Sequence, residues 1–549
     1  MSPDRLLAVL AAITALAISP AKGAPAESTA AGPAAADLAA QGDGHGVLPC
    51  SSCHGRLGEG NAADGVPHLA GLPAAYLAAQ LDALAEGTRR NPTMGPIARS
   101  LSARQRRQLA EYYSALPAVS APGNAPAAEL DDRVALHGRW SDEIPACVQC
   151  HGPDGRGVGE KFPPLIGQSA LYIANQLRAW RVGTRHDDPL GLMRAVAGRL
   201  SERDIHAVSD YFACQPAAAC QQRVHAPDSE QTKAADSAAR AHTRPASAGA
   251  GGTQRAVFTP SDRPIPDDEF GKVVKLGKQI FENPAKYASP YVGNDLRCSS
   301  CHLDAGRHVG SAPLWAAYVS YPAYRAKNHR VNTFAERLQG CFRFSMNGRL
   351  PPLGDPVLVA LESYAYWLAR GAPLDPGIAG RGYPKPAPPV LPPNYERGAK
   401  VYARTCALCH GDDGGGRRAN DGSPVFPALW GPDSFNWGAG MGSVTNAASF
   451  IKANMPLGRG GTLGDQDAWD VALYMDSQER PQDPRSTGSV SQTRAEFHDG
   501  PDWMYGLSVN GHVLGSDSEP PGGRLRDSPS SGEGNSANHG RHPSSPEQL

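Results

Sequence analysis

The sequence lacks a surplus of charge of either sign. Its 53 lysine and arginine residues are balanced by 54 aspartate and glutamate residues, which leaves a formal net charge of −1 over 549 residues. Proteins that bind nucleic acid or strongly acidic partners usually carry a clear basic excess. The balance therefore argues against a nucleic-acid-binding function.

Long apolar runs are also missing, with one exception at residues 6–18. This run follows Arg5 and precedes several small residues, a pattern typical of a secretory signal peptide, here residues 1–24. A retained N-terminal anchor is the alternative, although such a run is short for crossing a bilayer. The sequence thus predicts an exported, periplasmic protein without a membrane span after the signal is removed.

Cysteine is the informative residue, because eight of the 11 cysteines fall in four Cys-x-x-Cys-His motifs, far more than chance allows. This motif attaches haem c: the two thiols bond the porphyrin, and the histidine binds the iron from one side. Paired cysteines for zinc or redox chemistry are the alternative, but a histidine after every pair argues against it. We predict four covalently bound haem c groups, attached at Cys50, Cys53 and His54; Cys147, Cys150 and His151; Cys298, Cys301 and His302; and Cys406, Cys409 and His410.

The first two motifs belong to a duplicated unit. A Tyr-x-x-x-Gln-Leu segment begins at Tyr76 and again at Tyr172, and Gly-Thr-Arg follows at 87–89 and again at 183–185. Residues that recur at a fixed spacing indicate repeated domains. The predicted organisation is a signal peptide (1–24), cytochrome c domains at 40–118 and 130–222, a flexible linker (223–257), a catalytic cytochrome c domain (258–380), a fourth cytochrome c domain (394–480) and a disordered tail (481–549).

Apolar residues at three- and four-residue intervals predict helices before and after the motifs. Residues 270–281 and 395–402 precede the third and fourth motifs, and apolar-aromatic segments close every unit, as at 360–368. Strand patterns are scarce. The expected fold class is all-α, with four class I cytochrome c-like haem domains arranged as two dihaem halves joined by a flexible linker.

Methionine is scarce too, with eight residues, so the candidates for the second axial iron ligand are few. Met94 and Met193 lie 40 and 42 residues after the motif histidines of the duplicated units, in corresponding loops. Met455 is the favoured ligand of the fourth haem, with Met441 and Lys452 as competitors. Paired histidine and methionine ligands raise the reduction potential and suit an electron carrier.

The third haem has two candidate ligands, Met346 and Cys341. Cys214 and Cys220 are close enough to pair in an oxidising compartment, which leaves Cys341 as the odd cysteine and a candidate reactive thiol. Basic residues surround it in the sequence, and cations stabilise a thiolate and attract small anions. A buried structural cysteine beside a solvated basic face is equally compatible with the spacing. The basic residues in question are Lys327, Arg330 and Arg337.

Residues 258–480 resemble the dihaem thiosulfate dehydrogenases. The matching segments are Leu-Arg-Cys-Ser-Ser-Cys-His-Leu-Asp-Ala-Gly at 296–306, Tyr-Pro-Ala-Tyr-Arg at 321–325, and Cys-Phe-Arg-Phe-Ser-Met-Asn-Gly at 341–348. The resemblance implies that Cys341 ligates the active-site haem and that the methionine of the Asn-Met-Pro segment ligates the second haem.

Residues 40–222 resemble the dihaem cytochrome c4 family, which includes the electron acceptors of such enzymes. The whole chain thus looks like a natural fusion of acceptor and dehydrogenase. The implied reaction joins two thiosulfates to tetrathionate, and the same site could run in reverse. The electrons would pass on to a soluble or membrane-bound acceptor.

In that reaction, Lys327, Arg337 and Arg330 would offset the repulsion between two dianions, and Ser345 would donate a hydrogen bond. Cys341 would act as a thiolate ligand or take up sulfur covalently. A non-catalytic multihaem electron-transfer protein is the alternative function, and a dihaem peroxidase is a weaker one, because each unit offers a second axial ligand.

Overall fold

The computed structural model describes residues 33–44, 47–118, 131–214, 257–260, 263–325, 328–374, 378–419, 421–486 and 488–518. The predicted signal peptide, most of the predicted linker and Lys327 and Cys220 lie outside the described residues. In the N-terminal half the helices are α1 (Pro33–Gln41), α2 (Ser51–His54), α3 (Ala74–Glu86), α4 (Met94–Ser100), α5 (Ala103–Ala115), α6 (Arg133–Leu136), α7 (Cys147–His151), α8 (Ala170–Arg181), α9 (Leu192–Arg199) and α10 (Glu202–Ala213).

The C-terminal half continues this helical architecture. Its helices are α11 (Glu269–Glu282), α12 (Pro284–Tyr287), α13 (Leu303–Gly306), α14 (Leu314–Val319), α15 (Phe334–Gly340), α16 (Pro356–Ala369), α17 (Tyr395–Thr405), α18 (Ala407–His410), α19 (Val444–Asn454), α20 (Asp465–Asp476) and α21 (Val490–Phe497). Three short antiparallel hairpins accompany them: β1 (Ala323–Arg325) with β2 (Arg330–Asn332), β3 (Arg417–Arg418) with β4 (Pro424–Phe426), and β5 (Ser508–Val509) with β6 (His512–Val513). Among the described residues, no helix is long and apolar enough to cross a membrane.

The two N-terminal units begin their last helix in the same way. Ser102 caps α5 and Ser201 caps α10, and each forms a reciprocal capping box with the residue three positions later. A capping box satisfies backbone donors that the first turn of a helix leaves unpaired. Behind these caps the apolar faces of both helices enter the cores of their units, as the sequence pattern predicted.

The repeated residues of the N-terminal half form the contact between its two units. The Arg89 guanidinium donates to Gln80 at 2.9 Å and to Gln176 at 2.8 Å, and the Arg185 guanidinium donates to Gln80 at 2.7 Å and to Gln176 at 2.9 Å. Arg89 and Arg185 also pair through their backbones. Each unit thus supplies an arginine and a glutamine, and both arginines bind both glutamines.

The two C-terminal units share a helix crossing that depends on glycine. In α11, Gly277 lies so close to α16 that a Cβ atom there would be 2.0 Å from the carbonyl oxygen of Ala360. In α17, Gly398 would meet the carbonyl oxygen of Asp470 in α20 at 2.1 Å. Both crossings bring the helix before the haem motif against the helix that closes the unit.

The prediction of a disordered tail from residue 481 is wrong for residues 481–518. This segment contains α21 and the β5–β6 hairpin, and Tyr505 and Leu514 are fully buried in the core of the fourth unit. The serine- and glycine-rich composition concealed the few large side chains that anchor it. We call residues 481–518 the C-terminal strap; residues 519–549 lie outside the described part of the chain.

We predict that Gly277→Ala destabilises the C-terminal half, because the added methyl group would overlap backbone atoms of α16. Overpacking of this kind costs about 1–3 kcal/mol. Thermal unfolding followed by circular dichroism should show a lowered midpoint. The control is Gly198→Ala in α9, where the added Cβ has no neighbour within 4 Å. That variant should be neutral or slightly more stable, because alanine favours helices. Equal midpoints for the two variants would refute the packing argument.

Candidate active site and haem-binding sites

Each motif histidine is held through one ring nitrogen. Nδ1 lies within hydrogen-bonding distance of a backbone carbonyl oxygen in all four motifs: His54 to Pro67 at 3.0 Å, His151 to Pro163 at 2.8 Å, His302 to Ala312 at 2.6 Å and His410 to Pro427 at 2.9 Å. Such a bond fixes the tautomer and leaves Nε2 for a metal. Burial also lowers the pKa of all four imidazoles, which favours the neutral form that binds iron.

The interior contains space of the kind a porphyrin needs. A cavity of about 1710 Å³ runs along the second, third and fourth motifs. Around the fourth motif its wall is mainly apolar and is formed by Tyr402, Cys406, Cys409, Phe435, Phe450, Met441 and Met455. The paired thiols, the oriented imidazole and the apolar wall together fit a covalently attached haem.

The three competitors for the fourth haem occupy different surroundings. Met455 and Met441 both line the cavity, whereas the Lys452 ammonium donates to the Leu463 carbonyl at 2.5 Å and pairs with Asp465 at 3.0 Å. A lysine engaged in this way would have to break both contacts to reach iron. These contacts favour methionine over Lys452 as the second axial ligand of the fourth haem.

The two candidate ligands of the N-terminal units are placed as follows. Met193 packs beside the core of its own unit, and Met94 is half-buried at the start of α4.

Cys341 lies on an unusual turn. The segment Cys341–Ser345 is π-helical, and the amide of Met346 donates to the Cys341 carbonyl at 2.9 Å. π-Helical turns are rare and often occur at functional sites. Cys341 itself is half-buried, whereas Met346, its competitor as ligand, is only 3% exposed and belongs to the hydrophobic core of the third unit.

A guanidinium group contacts the Cys341 sulfur. Arg337 lies one helical turn earlier, and its Nη1 donates to the Cys341 Sγ at 3.0 Å. The Cys341 sulfur is the largest influence that raises the pKa of Arg337, although burial opposes it. A fixed positive charge at this distance stabilises a thiolate. Because Arg337 and Cys341 lie four residues apart, helical geometry places their side chains on one face, consistent with this contact.

Tyr383 is a residue of this site that the sequence analysis missed. Burial, and next the nearby Cys301, hold the pKa of its phenol well above the usual value, and Arg337 acts in the opposite direction. Its ring contacts Phe450, which lines the cavity at the fourth motif, with ring centroids 5.5 Å apart. Tyr383 opens a proline-rich stretch that separates two units, and nothing in that pattern indicated a site residue.

The other predicted site residues have no hydrogen bond to the Cys341 sulfur in the described part of the chain. Arg330 is exposed on β2 and pairs with Glu336 at 2.9 Å. Ser345 closes the π-helical turn, and its carbonyl accepts a hydrogen bond from Asn294 at 3.0 Å. Lys327 lies outside the described residues. Among the predicted residues, therefore, only Arg337 contacts the Cys341 sulfur in the described part of the chain.

An aromatic pair joins the two halves of the chain. The rings of Phe162 and Phe426 lie 5.1 Å apart and form a small apolar cluster in which Cys150 and Cys409 also pack. Each ring lies 6.4 Å from the motif histidine of its own unit, His151 or His410. The second and fourth motifs are therefore neighbours across the interface.

Comparison with known proteins identifies three similarities. The family model "Cytochrome C oxidase, cbb3-type, subunit III" matches residues 393–475. A thiosulfate dehydrogenase from Thiomonas intermedia is 61% identical over 49% of this chain and 85% of its own length. A thiosulfate dehydrogenase electron acceptor from the same organism is 50% identical over 30% of this chain and 78% of its own length.

A solved structure extends the similarity over most of the chain. Thiosulfate dehydrogenase TsdBA from Marichromatium purpuratum is 44% identical, with a TM-score of 0.77, and the match covers 88% of this chain and 99% of that one. The similarities confirm the predicted all-α class of cytochrome c-like haem domains in two fused halves, and with it haem c as the cofactor.

We predict that Cys341 is an axial ligand of the third haem. Electron paramagnetic resonance at low temperature should show one low-spin thiolate signal in the purified protein, because the Arg337 guanidinium contacts the Cys341 sulfur at 3.0 Å. Cys341→Met should abolish that signal, and Met346→Leu should leave it unchanged. A signal that survives in Cys341→Met would rule out this ligation.

Proposed function

This chain belongs to the thiosulfate dehydrogenase family, and we propose that it oxidises thiosulfate at Cys341 and passes the electrons to its own N-terminal half. The enzyme is a thiosulfate dehydrogenase joined to a cytochrome electron acceptor, as its relatives indicate. The observation that carries the assignment of the site is the 3.0 Å contact between Arg337 and the Cys341 sulfur.

The proposed reaction forms a sulfur–sulfur bond between two thiosulfate ions, which gives tetrathionate and releases two electrons. Haem bound at the four motifs would supply one-electron acceptors for these electrons. The chain must bring two dianions together, and a cation in a poorly solvated site offsets their repulsion. Arg337 supplies one such charge. Lys327 and Arg330 are proposed to attract the anions, and Ser345 to donate a hydrogen bond to one of them.

Cys341 supports two versions of this reaction, and both need a thiolate. In one it serves only as an iron ligand. In the other its sulfur bonds the outer sulfur of the first thiosulfate as two electrons leave, and the second thiosulfate then displaces it to give tetrathionate and the free thiolate. Arg337 stabilises the sulfur anion at the start and at the end of either version. The reverse reaction, tetrathionate reduction, uses the same residues.

We further propose that the chain carries four haem c groups, one on each motif. Three would have histidine and methionine ligands, with Met94, Met193 and Met455 completing the sets, and the third haem would have His302 and Cys341. The geometry of the motif histidines and the duplicated N-terminal unit support this count. The predicted signal peptide and the c-type attachment motifs support export to the periplasm.

The contact between the halves supports one proposed route for the electrons. The third and fourth motifs lie along one cavity, and the fourth motif meets the second motif at the Phe162–Phe426 pair. We propose that electrons enter the N-terminal half at its second unit and leave it from the first. A soluble or membrane-bound acceptor would then receive them.

Thiosulfate turnover with ferricyanide as acceptor is the direct test of the function. The purified protein should turn over, and Cys341→Gly should be inactive with its haem content retained. A purely electron-transferring protein, the alternative function, would show no turnover in either form.

We predict that Arg337→Ala raises the Michaelis constant and lowers turnover, because the variant leaves the anions and the Cys341 sulfur without their counter-charge. Loss of one charge-assisted hydrogen bond costs about 1.5–3 kcal/mol, or about ten- to a hundredfold in kcat/KM. Added salt should weaken wild-type binding more than binding by the variant. The matched control is Arg404→Ala, which removes an exposed ion pair with Asp467. A change below about twofold in Arg337→Ala would place the anion site elsewhere.

We also predict that Phe162→Leu and Phe426→Leu slow the transfer between the halves. Either change removes a ring from the gap between the second and fourth motifs and keeps the surface apolar. After rapid mixing with thiosulfate, the first phase of haem reduction should be unchanged and the later phase should slow severalfold. Phe270→Leu, on the exposed side of α11, is the control. An unchanged later phase in both variants would exclude this route.

A further inference from the structure

The C-terminal strap, residues 481–518, lies against the turn that carries Cys341. The Arg343 guanidinium of the turn donates to the Pro484 carbonyl of the strap at 3.2 Å. In the other direction, the Arg485 guanidinium of the strap lies 5.1 Å from the centre of the Phe344 ring. Two consecutive side chains of the π-helical turn are therefore held by two consecutive residues of the strap.

Arg485 is itself held rigidly. It donates to both carboxylate oxygens of Asp483, at 3.0 and 2.6 Å, and its guanidinium packs on the Phe497 ring at 4.1 Å. The Asp483 Oδ2 also accepts a hydrogen bond from His498 Nε2 at 2.9 Å, and the side chains of Asp483 and His498 are both fully buried. A bidentate, buried arrangement of this kind fixes the plane of a guanidinium group.

The strap also holds the segment that binds the backbone of the turn. Asn436 is fully buried. Its side-chain amide donates to the Arg343 carbonyl at 2.9 Å, and its backbone N–H donates to the Phe344 carbonyl at 3.2 Å. The next residue, Trp437, donates through its amide to the Pro481 carbonyl at 3.0 Å and through its indole to Ser518 at 2.9 Å. Asn436 thus binds the backbone of the turn, and Pro484 and Arg485 of the strap bind its side chains. The strap also holds Trp437, the neighbour of Asn436.

We propose that the strap is a positioning element of the active site, and that Arg485 acts through Phe344 to hold Cys341 at the third haem. A π-helical turn is less stable than an α-helical one and persists where its surroundings determine it. Without Arg485, the turn can relax toward α-helical geometry, which rotates Cys341 relative to Arg337 and the third motif. The inference rests on the assignment of Cys341 in the proposed function.

The test uses the full-length holoprotein with two substitutions, one on each side of the contact: Arg485→Gln and Phe344→Leu. We expect a smaller low-spin thiolate signal with haem content retained. We also expect alkylation of Cys341 by iodoacetamide, followed by peptide mapping, to be about tenfold faster as the displaced population grows. Turnover should fall more than the Michaelis constant rises, because the sulfur moves while the anion-binding charges stay.

The double variant adds a check that general destabilisation would not satisfy. If both residues act through one contact, Arg485→Gln with Phe344→Leu should lose no more thiolate signal than the stronger single variant. The matched control is His512→Ala, because His512 belongs to the strap but its partner at 2.7 Å, Glu479, belongs to neither the strap nor the turn. Its thiolate signal and alkylation rate should equal those of the wild type.

Two results would overturn the inference, and they differ. In the first, the wild type shows the thiolate signal, and both single variants keep that signal and the wild-type alkylation rate. The strap then has no positioning role, and Cys341 remains the ligand. A wild-type protein without any thiolate signal removes the assignment of Cys341 itself, and the inference with it.

Discussion

The hydrogen bond from each motif histidine to a backbone carbonyl is the contact on which the four units depend. It joins the Cys-x-x-Cys-His segment to a loop 10 to 17 residues further along the chain. In each unit the proposed second axial ligand lies beyond this loop in the sequence. This constraint explains why the candidate ligands fall at similar distances after each histidine, although the loops between them differ in length and composition.

The two C-terminal units show how one scaffold serves two kinds of chemistry. Both place a helix before the motif against the closing helix at a glycine, Gly277 in one and Gly398 in the other. They differ in the segment that carries the proposed second axial ligand. In the fourth unit it is the Asn-Met-Pro segment at the end of α19, whereas in the third it is the π-helical turn with Cys341. In the third unit the Arg337 guanidinium places a positive charge beside the Cys341 sulfur, where we propose that the anions react.

The sequence predicted most of the fold and the residues of the proposed site that lie close together in the chain, because those features follow from local patterns. Haem motifs have fixed spacing, amphipathic helices have a regular period, and Arg337 lies one turn before Cys341. The strap was missed because its composition is that of a disordered tail; its order depends on Tyr505, His498 and Asp483, which meet only after folding. Tyr383 was missed for a similar reason. The sequence also did not show that Arg330 pairs with Glu336, because charge alone does not identify the partner of an arginine.

The contact between the two N-terminal units has a consequence for their origin. Arg89 and Arg185 each bind both Gln80 and Gln176, so the same patch occurs on both sides. A patch that complements a copy of itself is the hallmark of a twofold-symmetric homodimer. A single ancestral unit with this patch would already have associated with its own copies, and duplication would have turned a concentration-dependent dimer into a permanent one. Joining the acceptor to the dehydrogenase repeats that step, since it replaces an encounter between two proteins with a fixed neighbour.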